Sequence, residues 1–235
     1  MRWGIISTGH IAAKFADALH ASESEQVVAA ASRDAGRAAD FASNYGIARS
    51  YGSYEALLAD PEVEAVYIGL PNSMHAEWSI KTAQAGKHIL CEKPLAVSRA
   101  EAITMYDAAR ANNVWLVEAF MYRFNPRTLK LGELLAQRAI GDVRIIRASF
   151  GFFLSDMSNV RLNAELVGGA LMDVGCYCVN VARLAAGQAP SRALAAAQWA
   201  GSGVDETLAG TLEYPGGALA QISCTLSGSS HQQVQ

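Results

Sequence analysis

The chain has 235 residues, 51% of them hydrophobic and 17% charged, with a formal net charge of −3. That balance suits one large or two ordinary globular domains and excludes a disordered chain. The slight negative charge argues against nucleic acid or an anionic membrane as a general partner, because both select basic surfaces.

No apolar run approaches the roughly 18–20 residues of a membrane span, and Met1 to Ser7 lacks the layout of a secretory leader. Four cysteines (Cys91, Cys176, Cys178 and Cys224) without a C-x-x-C pair are too few for a disulfide scaffold. A reducing, cytoplasmic setting is expected, and no metal site.

Residues 3–7 read as a short strand, Thr8-Gly9-His10 as a tight turn, and Ile11 to Ala21 as a helix with apolar residues at Ile11, Phe15, Ala18 and Leu19. Strand, glycine turn and helix at the chain start form the layout of a dinucleotide-binding unit. Ser7, Gly9 and Ala12 occupy the positions of its G-x-G-x-x-G/A fingerprint. Serine replaces the first glycine; the middle one, which lets the backbone approach a pyrophosphate, is kept. The helix that follows offers its N-terminal amides and positive dipole end to phosphate.

Gln26 to Ser32 is a second buried strand. Where an NAD-selective site carries an acidic residue for the ribose 2′-hydroxyl, this chain has Ser32-Arg33. A guanidinium binds a 2′-phosphate that a carboxylate repels. NADP is therefore expected in preference to NAD, with Asp34 capping the next helix. Arg37 is a second phosphate candidate, set against its ordinary role as a solvated helix charge.

The alternation continues with helices over 35–45 and 54–58, a strand at 65–68 ending in Gly69-Leu70-Pro71-Asn72, and a helix from Met74 to Ala85 closed by Gly86. His75 reads as a polar pocket residue, and Trp78 more as packing than as a stacking platform. Ile89-Leu90-Cys91 is a buried strand, followed without a spacer by Glu92-Lys93-Pro94. Ser98 caps a helix to Asn113 with Glu101 completing a capping box, and 114–117 is a strand ending at Glu118. Such alternation implies a parallel, doubly wound sheet. Its right-handed crossovers place Gly9, Arg33, Pro71-Asn72, Lys93 and Glu118 at one edge.

After residue 119 the rhythm changes. Asn125 to Gln137 is an amphipathic helix, 143–150 a half-exposed antiparallel strand, 151–166 a loop, and the stretch after Gly168-Gly169 a helix to about Ala186. Asp173 and Tyr177 are four apart and share a face near its start. Strands at 192–199, 206–214 and 218–226 follow, the last two joined by Pro215-Gly216-Gly217. Val234 reads as the start of further strand, so a C-terminal truncation is expected. The boundaries expected are 1–119 for the nucleotide-binding domain and 120–235 for an incomplete second domain.

Five stretches together resemble the Gfo/Idh/MocA oxidoreductase family, on its dihydrodiol dehydrogenase and NADP-dependent D-xylose dehydrogenase branch. They are Gly4 to Ala12, Ser32-Arg33-Asp34, Glu92-Lys93-Pro94, Glu118 to Phe124 and Gly168 to Tyr177. The resemblance implies an N-terminal Rossmann domain and an α+β domain with a large, mostly antiparallel open sheet, which commonly forms the interface of a homodimer or higher oligomer. It makes Lys93 a catalytic or substrate-orienting residue. Tyr177 stands where many members carry a histidine, and Asp173 matches a family aspartate.

The candidate cofactor-binding residues are Ser7, Thr8, Gly9, His10, Ile11, Ser32, Arg33, Arg37, Leu70, Pro71, Asn72, His75, Glu92, Lys93 and Arg123. The reaction expected is hydride transfer between nicotinamide and a hydroxyl-bearing carbon of an aldose or cyclic vicinal diol, with the cofactor carrying the hydride chemistry. Tyr177 is the candidate base. A phenol pKa of about 10 leaves only about one in a thousand ionised at neutral pH, and the Lys93 ammonium would favour the phenolate. Asp173 would bind a second hydroxyl or orient Lys93; Phe124 is a candidate stacking residue. The competing reading is a non-catalytic NADP-binding sensor on the same fold, against which the retention of Lys93 and Tyr177 argues.

Overall fold

Strands and helices alternate through the first half of the computed structural model, which describes residues 1–235. The elements are β1 (Arg2–Ile6), α1 (His10–His20), β2 (Gln26–Ala31), α2 (Ala35–Asn44), β3 (Arg49–Tyr51), α3 (Tyr54–Leu58), β4 (Ala65–Ile68), α4 (His75–Gln84), β5 (His88–Cys91), α5 (Arg99–Ala111) and β6 (Leu116–Glu118). Every strand pairing among them is parallel, in the order β3-β2-β1-β4-β5-β6. That is the doubly wound order whose direction reverses between β1 and β4.

A sheet buried on both faces needs apolar residues pointing both ways. Ile5, Ala30 and Tyr67 pack against Ala12 and Ala16 of α1 and Phe41 of α2. Their neighbours Ile6, Ala31 and Ile68 join Trp78 of α4 and Met105 of α5 on the opposite face. Each fully buried large aliphatic contributes about 1.5–3 kcal/mol. Helix starts follow local chemistry: the Asp34 side chain caps α2 and Ser98 caps α5.

The opposite, amino edge of the sheet is closed by buried polar groups. Lys87 Nζ donates to the carbonyls of Asp60 and Val63 at 2.7 Å each. Arg49 Nε and the Tyr51 hydroxyl donate to Asp60 Oδ2 at 2.7 and 3.0 Å.

The second half contains α6 (Pro126–Ala136), β7 (Ile145–Phe153), α7 (Cys176–Ala186), β8 (Arg192–Trp199), β9 (Asp205–Glu213), β10 (Leu219–Thr225) and β11 (Ser227–Val234). The strand order is β11-β7-β10-β9-β8. Three pairings are antiparallel and β7–β10 is parallel, giving a mixed, mostly antiparallel sheet. α7 and the turn before it cover one face, with Val174 of the turn and Cys178, Val181 and Ala182 of α7 against Ile146, Leu208, Ala220 and Ile222. Contacts within the chain divide it into Met1–Ala119 and Phe120–Gln235. No helix is long and apolar enough to cross a membrane.

Several expectations need correction. The strand at 143–150 begins at Ile145, runs on to Phe153, and is parallel to β10 on one side. So the 151–166 segment is not a loop throughout. Residues 227–234 form a whole edge strand, and Arg49–Tyr51 adds a strand to the first sheet. The strand placed at 114–117 lies at Leu116–Glu118. The helix expected after Gly168-Gly169 is a π-helical turn, Leu171–Gly175, continuing into α7.

Candidate active site

The parallel order brings five strand ends to the carboxyl edge of the first sheet, where ligands bind in open α/β folds. β1 ends in Ser7, whose φ of +147° lies in a region that favours glycine. Its Oγ accepts the Gly9 amide at 3.0 Å and its own amide donates to the Ala31 carbonyl at 3.2 Å. Gly9 is the N-cap of α1 without a side-chain capping bond, and Gly9, His10 and Ile11 are exposed beside half-buried Thr8. With the Gly9 amide committed to Ser7, the next amides at the start of α1, those of His10 and Ile11, are the ones offered to an anion.

At the end of β2, Ser32 is buried and Arg33 exposed. The Asp34 carboxylate is engaged at home, since its Oδ1 accepts the Arg37 amide at 3.0 Å. Arg33 is therefore the charged group this strand end presents. Burial pushes the Tyr54 phenol pKa up, and the nearby Arg33 guanidinium opposes that rise. Arg37 is exposed in the first turn of α2. These features fit NADP: amides for the pyrophosphate, a guanidinium for the 2′-phosphate, and no uncommitted carboxylate to repel it.

β4 leads into Leu70, Pro71 and Asn72, all half-buried. His75 opens α4. It is 0% exposed, with Nδ1 2.8 Å from the Pro94 carbonyl and Nε2 2.8 Å from the Leu70 carbonyl. It ties together the segments that follow β4 and β5. Burial pushes its pKa down, against hydrogen bonds to Pro94 and Leu70 that favour the cation.

Glu92 acts within the frame as well. Its Oε1 accepts the Tyr67 hydroxyl at 2.6 Å and its Oε2 the Lys93 amide at 3.3 Å. Tyr67 in turn stacks on Phe15 of α1, with ring centroids 4.0 Å apart. Glu118 Oε1 accepts the Leu95 amide at 2.8 Å. Lys93 is thus half-buried in a segment secured on both sides. Trp78 is core, edge-on to Tyr54 at 4.7 Å.

In the second unit, Asp173 sits in the π-helical turn and Tyr177 in the first turn of α7. Asp173 Oδ2 accepts Arg161 Nε at 2.6 Å. The Tyr177 ring lies against Phe120, Tyr122 and Phe150, with centroids 5.2, 6.0 and 5.7 Å away. Asn180 Oδ1 accepts the Tyr122 hydroxyl at 2.6 Å and Arg123 Nη1 at 3.1 Å. Arg123 is therefore held on the helix that carries Tyr177. Phe124 is 69% exposed.

The family model described as "Oxidoreductase family, NAD-binding Rossmann fold" matches residues 1–120, and the GFO/IDH/MocA C-terminal domain matches 128–235. The chain belongs to the Gfo/Idh/MocA oxidoreductase family. Among its curated relatives, D-xylose 1-dehydrogenase (NADP(+)) 2 of Haloferax volcanii is 45% identical, covering 94% of this chain and 68% of that protein. Trans-1,2-dihydrobenzene-1,2-diol dehydrogenase of Xenopus laevis is 41% identical, covering 99% of this chain and 71% of that protein. A solved 3-ketoreductase from Actinomadura kijaniata, in complex with NADP and TDP-benzene, superposes with a TM-score of 0.93 at 31% identity, covering 100% of this chain and 72% of that one.

Within this Gfo/Idh/MocA chain, sequence reasoning missed Arg161 and Asn180. Asn180 carried a usable signal, since it lies three residues after Tyr177 on one helix face. Arg161 lies outside every periodic element and carried none.

Proposed function

We propose that this chain is an NADP-dependent dehydrogenase that moves a hydride between nicotinamide and a hydroxyl-bearing carbon of a sugar or cyclic vicinal diol. One observation carries the reading. Relatives 45% and 41% identical over nearly the whole chain are named as an NADP-dependent xylose dehydrogenase and a trans-dihydrodiol dehydrogenase.

NADP, when bound, supplies the site of hydride transfer. Ser7, Thr8, Gly9, His10 and Ile11 hold its pyrophosphate, and Ser32 and Arg33 its 2′-phosphate, with Arg37 in reach of the same end of the sheet. Leu70, Pro71 and Asn72 line the edge, and Arg123 is a further anion-binding candidate. Lys93 holds the substrate hydroxyl oxygen as it gains or loses its proton. Tyr177 accepts that proton in oxidation and returns it in reduction. Asp173 binds a neighbouring hydroxyl, so diols and sugars are expected to be preferred over simple alcohols.

The open face of the second sheet presents a row of Leu194, Thr211, Gln221 and Arg147 across β8, β9, β10 and β7. It forms a concavity of about 700 Å³. This face is the surface on which two copies pair. Sedimentation velocity is expected to give a dimer mass, and a monomer at micromolar concentration would contradict the pairing.

The test of the activity is an initial-rate screen of aldoses and cyclic vicinal diols, following NADPH absorbance with NAD in parallel. Turnover on at least one compound, with NADP preferred, is expected. No turnover on any member of either class would refute the reading.

A further inference from the structure

The Gly168-Gly169 pair introduces the helix bearing Asp173 and Tyr177, and its surroundings show what it is for. Val167, a β-branched residue, has φ +56°, and Gly169 has φ +109°. A Cβ on Gly168 would lie 2.3 Å from the Arg161 carbonyl oxygen, and one on Gly169 would lie 2.1 Å from Asp205 Oδ1. The glycines are required because two other residues approach the backbone here from different elements.

Both approaching residues hold the π-helical turn. Asp205, at the start of β9, uses Oδ2 to accept the Leu171 amide at 2.7 Å. Arg161 accepts the Gly169 amide at its carbonyl (2.8 Å) and donates from Nε to Asp173 Oδ2 (2.6 Å). The Gly169 carbonyl accepts the Asp173 amide at 3.0 Å. Arg161 is itself fixed by Asn159 Oδ1, which accepts its amide at 3.1 Å. Burial pushes the Asp205 carboxyl pKa up and the Leu171 amide opposes it. Behind the turn, a Cβ on Gly175 would lie 2.8 Å from Cys224 Sγ, so the helix backbone rests directly on β10.

π-helical turns are rare, cluster at functional sites, and place successive residues differently from an α-helix. Strained backbone of this kind persists only where its surroundings over-determine it. We propose that Arg161 and Asp205 are positioning residues of the reaction. They clamp the turn Leu171–Gly175 so that the Asp173 carboxylate and the Tyr177 phenol, one helical turn on, are presented together to the substrate. Neither touches the reacting atoms; Arg161 acts through Asp173 and Asp205 through the Leu171 amide. The inference rests on the roles given above to Asp173 and Tyr177.

The test uses the full chain and the best substrate from the screen, with Arg161→Met, Arg161→Lys, Asp205→Ala, Asp205→Asn and Tyr177→Phe measured side by side. NADPH binding is followed by fluorescence titration and rates are scaled to binding-competent protein. Misplacing reacting groups by about an ångström costs on the order of 10²-fold. Arg161→Met and Asp205→Ala are expected to lose about 10- to 100-fold in kcat/KM with NADPH affinity retained. Arg161→Lys, which keeps a cation, and Asp205→Asn, which keeps an acceptor oxygen, are expected to recover part of that loss.

Full activity in Arg161→Met and Asp205→Ala beside a crippled Tyr177→Phe would overturn the positioning roles and leave the site reading intact. Full activity in Tyr177→Phe would instead refute the site reading. Losses in the conservative variants equal to those of the truncations, in step with lowered melting temperature, would mark a purely structural role and overturn the proposal. Should Asp205→Ala fail to fold, Arg161→Met and Asp205→Asn decide.

Discussion

At the scale of single residues, Ser7 shows how a departure from the usual glycine fingerprint is tolerated. Its φ of +147° costs on the order of 1–3 kcal/mol for a residue with a Cβ. The Gly9 amide on its hydroxyl and its own amide on Ala31 each return about 1 kcal/mol, so strain and hydrogen bonding nearly cancel. His75 poses a sharper balance. Only an imidazolium donates to both the Leu70 and Pro94 carbonyls, yet burial is the larger effect and holds its pKa below the ordinary value. The unfolded chain therefore binds this proton first as pH falls below about 6.5, and folding stability declines there by up to about 1.4 kcal/mol per pH unit from this one group. Urea denaturation at pH 7.5 and 5.5 is expected to show a larger loss for the wild type than for His75→Gln. An equal loss in both would contradict the assignment.

Among elements, legibility followed how local the determinants are. α5 was readable because Ser98 accepts the Glu101 amide at 3.2 Å within one turn of chain. The strand of Glu92-Lys93-Pro94 was readable from its apolar run alone. β3 was not, since Arg-Ser-Tyr has no apolar pattern and is a strand only because β2 lies beside it. β11 is Ser-Gly-Ser-Ser-His-Gln-Gln-Val, a sequence that says loop; pairing with the distant β7 makes it a strand. Alternation also fails to distinguish parallel from antiparallel neighbours, so the parallel β7–β10 pairing is not legible in it. Of the residues proposed for catalysis, Lys93, Asp173 and Tyr177 are legible as motifs. Arg161 and Asp205 are not, because they act across loops on a backbone turn whose π geometry no composition announces.

For the whole molecule, two units with separate cores divide the labour: one carries the strand edge that fits NADP, the other carries Asp173 and Tyr177. Fold alone would not separate a dehydrogenase from a binding protein of the same architecture; the roles proposed for Lys93 and Tyr177 would. The most direct measurement is therefore the turnover of Tyr177→Phe beside the wild type, with NADPH affinity from the same preparations. A fall in kcat of about 10²–10⁴ with the dissociation constant for NADPH unchanged within about twofold is expected for loss of a proton-transfer group. Wild-type turnover in Tyr177→Phe would contradict it.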